Sequence, residues 1–114
     1  MGMWVLFETG KKVPAVEHEK IQQQVQVFAK ERPWSNSFEL SLRFRGKFCY
    51  VDSVEKKNQR ISPLCRLEYY GENKWSLGFY TYSNERYTPC YFSGGHDKGT
   101  LEEAISICEG YLIV

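Results

Sequence analysis

The sequence has few residues that can carry out chemistry, and its charges are nearly balanced. Only two histidines, His18 and His96, occur among 114 residues, and the four cysteines form no Cys-x-x-Cys pair. Structural zinc sites usually take two ligands from one short turn, so this spacing indicates no metal site. The formal net charge of +1 gives no overall field that would attract nucleic acid or a membrane surface. We therefore expect no metal and no cofactor.

Long hydrophobic runs are also lacking. Residues 3–7 predict a short strand or a hydrophobic tail, and the apolar residues 1–7 lack the basic start of a signal peptide. No run approaches the roughly 20 apolar residues that a membrane-spanning helix needs. We expect a cytoplasmic protein of bacterial type with no membrane contact, in which thiols stay reduced. The four cysteines are then predicted to be buried free thiols: Cys49, Cys65, Cys90 and Cys108.

What the sequence has in abundance is aromatic residues, which make up 16% of the chain and favour β-strands. The length suits a single domain over residues 1–114. Ile21, Val25 and Phe28 recur at helical spacing. A helix is therefore predicted over residues 15–31.

Residues 38–45 alternate strictly between apolar and polar side chains, which indicates a half-buried strand. Gly46 and Lys47 then fit a two-residue type II′ turn, which pairs Arg45 with Phe48 in the return strand. One face of this hairpin is the predicted core: Phe38, Leu40, Leu42, Phe44, Cys49 and Val51. The other face carries Arg43, Arg45, Phe48, Tyr50 and Asp52.

Three more strands are predicted downstream of this hairpin. They span residues 64–70, 75–82 and 87–92. If Asn84 and Glu85 form the last turn, Tyr82 lies opposite Tyr87. Pro89 places the final strand at an edge or a bulge, because proline cannot donate to a strand ladder.

A second helix is predicted over residues 100–110, where Thr100 and Glu103 form a capping box. Its apolar side, Leu101, Ile105 and Cys108, would pack on the sheet. The expected fold is α+β: an antiparallel sheet of five or six strands, a hairpin plus a meander. The N-terminal and C-terminal helices are expected to pack on one face of that sheet.

Short motifs follow this order of elements along the chain. They are Arg66-Leu67, Trp75-Ser76-Leu77, Arg86-Tyr87-Thr88-Pro89 and Thr100-Leu101-Glu102-Glu103. In this pattern, over about residues 17–112, the chain resembles the bacterial domain-of-unknown-function 3024 family. The resemblance implies a Trp-containing strand, a Tyr-x-Pro step and a closing Leu-Glu-Glu helix. It implies a fold and no activity, and the first hairpin carries none of its distinctive motifs.

A basic and aromatic stretch is the first candidate site. Cations beside flat rings can hold a nucleic-acid backbone and stack its bases. The candidate nucleic-acid-binding residues are Arg43, Arg45, Lys47, Phe48, Tyr50, Lys56, Lys57 and Arg60. The alternative interpretation is a solvated strand face whose charges discourage edge-to-edge aggregation.

Tyrosines in the meander are the second candidate site. Exposed tyrosine often anchors an interface, because it buries much area with few rotatable bonds. The candidate interface residues are Tyr80, Tyr82, Tyr87 and Tyr91. The alternative is a tyrosine-rich face that a helix covers.

A glycine-rich loop before the second helix is a third, weaker candidate. Free N–H groups at a helix start favour anions, and His96 and Lys98 could add positive charge. The candidate anion-binding residues are Gly95, His96, Lys98 and Thr100, with a mobile connector as the alternative. The spacing fails the phosphate-binding loop pattern, since Thr100 follows Gly99 directly.

Three functions remain open on these observations. The leading hypothesis is a non-catalytic interaction module that binds a protein partner or self-associates through the tyrosines or the apolar C-terminus. The second is a nucleic-acid-binding accessory domain that uses the basic hairpin. A small enzyme is third: His96 with Cys90 could pair a base with a nucleophile, but no residue is assigned as catalytic.

Overall fold

The computed structural model of the chain describes residues 9–112. Its two helices are α1 (Ala15–Lys30) and α2 (Leu101–Cys108). Its strands are β1 (Phe38–Arg45), β2 (Phe48–Glu55), β3 (Arg60–Tyr69), β4 (Trp75–Thr81) and β5 (Arg86–Cys90). Short 3-10 turns occupy Pro33–Asn36, Ser93–Gly95 and Glu109–Tyr111. The strand or tail predicted over residues 3–7 and the last two residues of the apolar C-terminus lie outside the described residues.

The strands form one antiparallel sheet in the order β1-β2-β3-β4-β5, so each strand pairs with its neighbour in sequence. The two helices pack on one face of this sheet, α1 mainly against β1 and α2 mainly against β4. This confirms the predicted α+β fold, with five strands among the described residues. No helix of the described part is both long and apolar enough to cross a membrane.

The first hairpin has the predicted register. Arg45 pairs with Phe48, and Phe44 pairs with Cys49. Gly46 has a φ of +59°, which the first position of a type II′ turn requires. Arg43 and Arg45 are exposed, and the alternating apolar residues Leu40, Leu42 and Phe44 pack against the core. The predicted inward and outward faces of β1 are therefore confirmed.

The core lies between the helices and the covered face of the sheet. Both predicted helix stripes point into it, and α2 is the more deeply buried, with Leu101 and Ile105 fully inaccessible to solvent. Cys49, Cys65 and Leu67 fill the sheet side and are equally inaccessible. Burying a side chain of this size stabilises a fold by about 1.5–3 kcal/mol. The covered face therefore supplies most of the stability.

The third strand begins earlier than predicted. It starts at Arg60, whereas the sequence predicted a start at Leu64 after a polar loop. Pro63 is the reason, because proline is usually excluded from a central strand. Here Val51 pairs with Cys65 and Asp52 pairs with Pro63, so Leu64 is an extra residue and forms a bulge that accommodates the proline.

The last hairpin corrects a predicted register. Tyr80, and not Tyr82, lies opposite Tyr87. The turn holds four residues, 82–85, instead of two, and Glu85 takes a positive φ of +53° within it. The slip is two residues, which leaves every side chain on the face that the sequence predicted, because side chains alternate with period two.

An ion pair joins the ends of the two helices. Arg32, just after α1, binds the carboxylate of Glu109 through two nitrogens, at 2.5 and 2.7 Å. The indole N–H of Trp34 donates to the same carboxylate at 2.7 Å. Trp34 is only 7% exposed, so its N–H depends on Glu109 for a partner. These contacts hold the end of α2 against the start of the sheet.

Candidate binding surface on the open face of the sheet

The face of the sheet opposite the helices carries two of the sequence-predicted sites together. Strand alternation directs side chains from β1, β2, β3, β4 and β5 toward this side. We call the following set the aromatic–arginine face: Arg43, Arg45, Phe48, Tyr50, Arg66, Tyr80 and Tyr87. Four of these were predicted on the first hairpin and two on the meander, but the sequence did not predict that they share one surface.

Arg43 is held at the β1 side of this face. Its Nε donates to the Asp52 carboxylate at 3.0 Å, and its guanidinium lies 5.0 Å from the centre of the Tyr50 ring. Asp52 is 8% exposed, so its charge needs this partner. The hydrogen bond from Arg43 to Asp52 raises the pKa of the guanidinium, which therefore stays charged.

Arg66 lies at the centre of the face. Its guanidinium is 4.3 Å from the centre of the Phe48 ring and 5.4 Å from that of Tyr87. Sequence reasoning did not select Arg66 as a site residue. The available signal was its position between two inward residues, Cys65 and Leu67, which directs its side chain to the open face.

Tyrosine rings continue the surface across the sheet. The Tyr50 and Tyr87 rings are 5.6 Å apart, and the Tyr87 and Tyr80 rings are 5.2 Å apart, both edge to face. Tyr82, in the turn, extends the row at 4.9 Å from Tyr80. Burial, followed by the charge of Asp52, raises the pKa of Tyr87, so its hydroxyl remains protonated.

A shallow cavity of about 240 Å³ opens at the other end of the face. Its floor includes Gly78, which lies between Arg66 on β3 and Pro89 on β5 and has no side chain to fill the space. Phe48 and Tyr91 line its sides. Tyr91 is 69% exposed, and it stands apart from the row formed by the other three predicted interface tyrosines.

The basic residues predicted with this hairpin separate into two groups. Lys47 stays with the face: its ammonium lies 3.2 Å from the Glu68 carboxylate and 5.4 Å from the Phe48 ring centre. Lys56, Lys57 and Arg60 lie at the far end of the β2–β3 hairpin. The Lys56 ammonium donates to the backbone oxygen of Ser35, away from the rings of the aromatic–arginine face. The far-end group is therefore not part of the aromatic–arginine face.

At the predicted anion site before α2, the donors of Gly95, Lys98 and Thr100 already have partners within the chain. Thr100 and Glu103 form the predicted capping box, each backbone N–H bonded to the side chain of the other. The N–H of Leu101 donates to the Asn73 side chain at 3.0 Å. Lys98 is paired with Asp97 at 3.2 Å, and two glutamates follow in the first helical turn. This arrangement disfavours an anion at the start of α2.

Cys49 and Cys90 have the opposite acidity to a catalytic thiol. Cys49, Cys65 and Cys108 are buried and free as predicted, whereas Cys90 is only half-buried, which corrects the prediction for that residue. Burial raises the pKa of Cys49 to about 12 and also raises that of Cys90. A nucleophilic cysteine needs a lowered pKa. Within residues 9–112, no three His, Cys, Asp or Glu side chains are grouped to hold a metal ion.

Comparisons of the chain with protein-family models, with curated proteins and with solved structures find no match. The resemblance to the domain-of-unknown-function 3024 family therefore stays a prediction from short motifs. A function for this chain is therefore inferred from the geometry and charge of the open face of the sheet.

Proposed function

We propose that this chain is a non-catalytic binding module of the cytoplasm that takes single-stranded nucleic acid on its aromatic–arginine face. The observation that carries the proposal is the interleaving of guanidinium groups with rings on a sheet face that no described helix covers. Arg43 lies over Tyr50, and Arg66 lies over Phe48. Single-stranded nucleic acid presents phosphates and flat bases, and this surface offers partners for both.

The charges favour an anionic partner over a second copy of the same face. Apposing two such faces would bring Arg43, Arg45 and Arg66 of both chains into one interface. The acids on this side, Asp52 and Glu68, are already paired with Arg43 and Lys47. Like charges brought together across an interface cost several kcal/mol. A phosphate backbone would instead be attracted to these cations, so self-association through the tyrosines is the weaker interpretation of this surface.

The arrangement suggests how a strand would lie. Arg45 is exposed at the β1 side, where it would contact phosphates. The half-buried rings of Tyr50, Tyr87 and Tyr80 follow across the sheet, where bases would stack. Each stacked base contributes about 1–3 kcal/mol in proteins of this kind. The local cations explain how a chain with a net charge of only +1 could bind a polyanion.

The test measures the binding of labelled single-stranded oligonucleotides at low salt by fluorescence anisotropy. The variant Arg43→Gln plus Arg45→Gln removes two charges from the face while leaving an amide that can still donate to Asp52. The matched control, Lys56→Gln plus Lys57→Gln, removes the same charge from the far end of the β2–β3 hairpin. We expect the first pair to weaken binding by about tenfold or more and the control by about threefold or less.

Two results would contradict this proposal. One is that the wild-type chain fails to bind single strands of any sequence at about 50 mM salt, where such contacts are strongest. The other is that both pairs of substitutions weaken binding equally, since binding would then follow net charge and not the aromatic–arginine face. Thermal unfolding of each variant checks that both remain folded.

A further inference from the structure

The outer edge of β1 is the second surface that calls for a partner. β1 is the first strand of the sheet order, so it pairs only with β2 among the described residues. It is eight residues long and contains no proline and no glycine. Long regular edge strands are templates for pairing with another strand, and proteins usually protect them.

The hairpin geometry fixes which backbone groups face outward. Arg45 and Phe48 flank a two-residue turn, so they form a hydrogen-bonded pair. Odd-numbered residues of β1 therefore bond to β2. The even-numbered residues direct their N–H and C=O groups to the open edge: Phe38, Leu40, Leu42 and Phe44. These four side chains also point to the covered face of the sheet.

The sequence of this edge is complementary to itself. In an antiparallel pairing centred on Ser41, Leu40 lies opposite the partner's Leu42, and Phe38 lies opposite the partner's Phe44. The same register places Glu39 opposite the partner's Arg43, twice by symmetry. Opposite charges and apolar side chains facing each other across strands stabilise pairing by about 0.2–1 kcal/mol each. The outward hydrogen-bonding groups meet in this register, because even residues face even residues.

The flank of the edge is not filled. A cavity of about 330 Å³ lies mainly between α1 and β1, and one of about 450 Å³ extends from α1 past β1 to the β2–β3 hairpin. Val25 and Leu40 line both. Leu40, Leu42 and Phe44 are only half-buried in the single chain. Apolar side chains left half-exposed beside a free strand edge would be covered by a second sheet that continues this one.

We propose that two copies of this chain pair antiparallel through their β1 edges, with Ser41 of each copy at the two-fold axis. The product is a continuous sheet of ten strands with all four helices on one side. The two aromatic–arginine faces then lie side by side on the other side. This pairing does not depend on nucleic-acid binding, and it uses a different surface from the tyrosine interface that the sequence predicted.

Position 41 gives a direct test of the register. Ser41 is exposed and pairs with Asp52 on β2, so a lysine at position 41 faces an opposite charge and should leave the fold intact. A glutamate there would face the Asp52 carboxylate, so thermal unfolding checks that the Ser41→Glu chain remains folded. In the proposed pairing position 41 faces itself in a non-hydrogen-bonded pair, where side chains are closest. Ser41→Lys and Ser41→Glu should each weaken dimerisation by about tenfold or more, because like charges directly opposite destabilise a strand pair. Ser41→Thr is the matched control and should keep the dimer.

Sedimentation velocity at protein concentrations up to about 100 µM measures the oligomeric state. This range covers the dissociation constants of homodimers of moderate affinity. We expect a wild-type dimer, monomers for each charged variant alone, and a restored dimer when the lysine and glutamate variants are mixed. A monomeric wild-type chain would overturn the proposal. Dimers that the charged variants leave unchanged would also overturn it, because the interface would then lie elsewhere. So would a mixture that stays monomeric, because position 41 would then not face itself across the two-fold axis. None of these readouts involves nucleic acid, so the outcome is independent of the proposed function.

Discussion

The two faces of the sheet differ in chemistry although the same strands build both. On β2, Cys49 and Val51 point under the helices and are fully inaccessible, while Phe48 and Tyr50 point to the open side and are half-buried. The covered face is closed by α1 and α2, whereas on the open face, within residues 9–112, arginine side chains lie over the rings and no helix covers them. Part of the aromatic content of the chain is thus placed outside the core.

This difference separates stability from function. A cation over an exposed ring contributes about 0.5–1 kcal/mol, whereas a fully buried aliphatic side chain contributes about 1.5–3 kcal/mol. A residue on the open face can therefore change with little effect on folding. This freedom suits a surface whose purpose is to bind, and neighbouring residues on one strand can test it.

The largest expected effect is on β3, where adjacent residues face opposite sides. Leu67→Ala leaves a cavity under the helices, so we expect the free energy of unfolding to fall by about 2–5 kcal/mol. Arg66→Ala removes the guanidinium over Phe48 on the open face, and we expect a fall of about 1 kcal/mol or less. Urea unfolding of both variants measures the comparison. Equal losses would mean that the open face is part of the structural core.

The second prediction concerns the ion pair that keeps the helices on the covered face. Hydrogen bonds from Arg32 hold the pKa of Glu109 below its usual range, with a further contribution from the Trp34 indole. A lowered carboxylate pKa adds stability that is present above the ordinary glutamate value of about 4.3. That stability is lost as the pH falls through the lower folded value.

Glu109→Gln removes the titrating group while keeping an acceptor for Trp34. We expect the wild-type chain to lose free energy of unfolding between about pH 5 and pH 3, and the variant to lose less over the same range. At pH 7 the variant should be the less stable of the two, since it lacks the pairing with Arg32. Urea unfolding at several pH values measures both. If the free energy of unfolding fell equally with pH in the two chains, Glu109 would not be the source of the expected pH dependence.

Local patterns explain how much of this structure the sequence predicted. The strict alternation from Phe38 and the turn at Gly46 specified the first hairpin register, and helical spacing specified α1 within one residue. Each of these signals lies within a short stretch of chain. The last hairpin offered no such signal, because its turn holds four residues and lacks the Asn-Gly or Gly-first pattern of a two-residue turn.

The candidate site was only half predictable for a different reason. The hairpin arginines and the meander tyrosines were each found by local alternation. Their union required the strand order, which places β3 between them and brings Arg66 to both Phe48 and Tyr87. Alternation alone cannot reveal that order. It shows which face of a strand each side chain occupies, but it does not show which strands lie next to each other in the sheet.

The smallest expected effect on the free energy of unfolding comes from replacing a glycine on the open face with alanine. Gly78, on the open face, has room for a Cβ atom, whose nearest neighbours would be the Thr88 carbonyl oxygen at 3.5 Å and the Tyr87 Cβ at 3.6 Å. Replacing glycine with alanine in a strand gains about 0.5–1 kcal/mol when no clash arises. Gly78→Ala should therefore leave the free energy of unfolding unchanged or raise it slightly. The added methyl group also narrows the cavity beside Arg66.

Gly99 provides the matched control on the other side. A Cβ atom there would overlap the ring of Phe92, which is buried, so Gly99→Ala should lower the free energy of unfolding by about 1–3 kcal/mol. If thermal unfolding shows the two variants to be equally stable, the open face is as tightly constrained as the covered one. A stable Gly78→Ala chain that binds oligonucleotides less tightly would instead assign the cavity to binding, because its only change is the added methyl group.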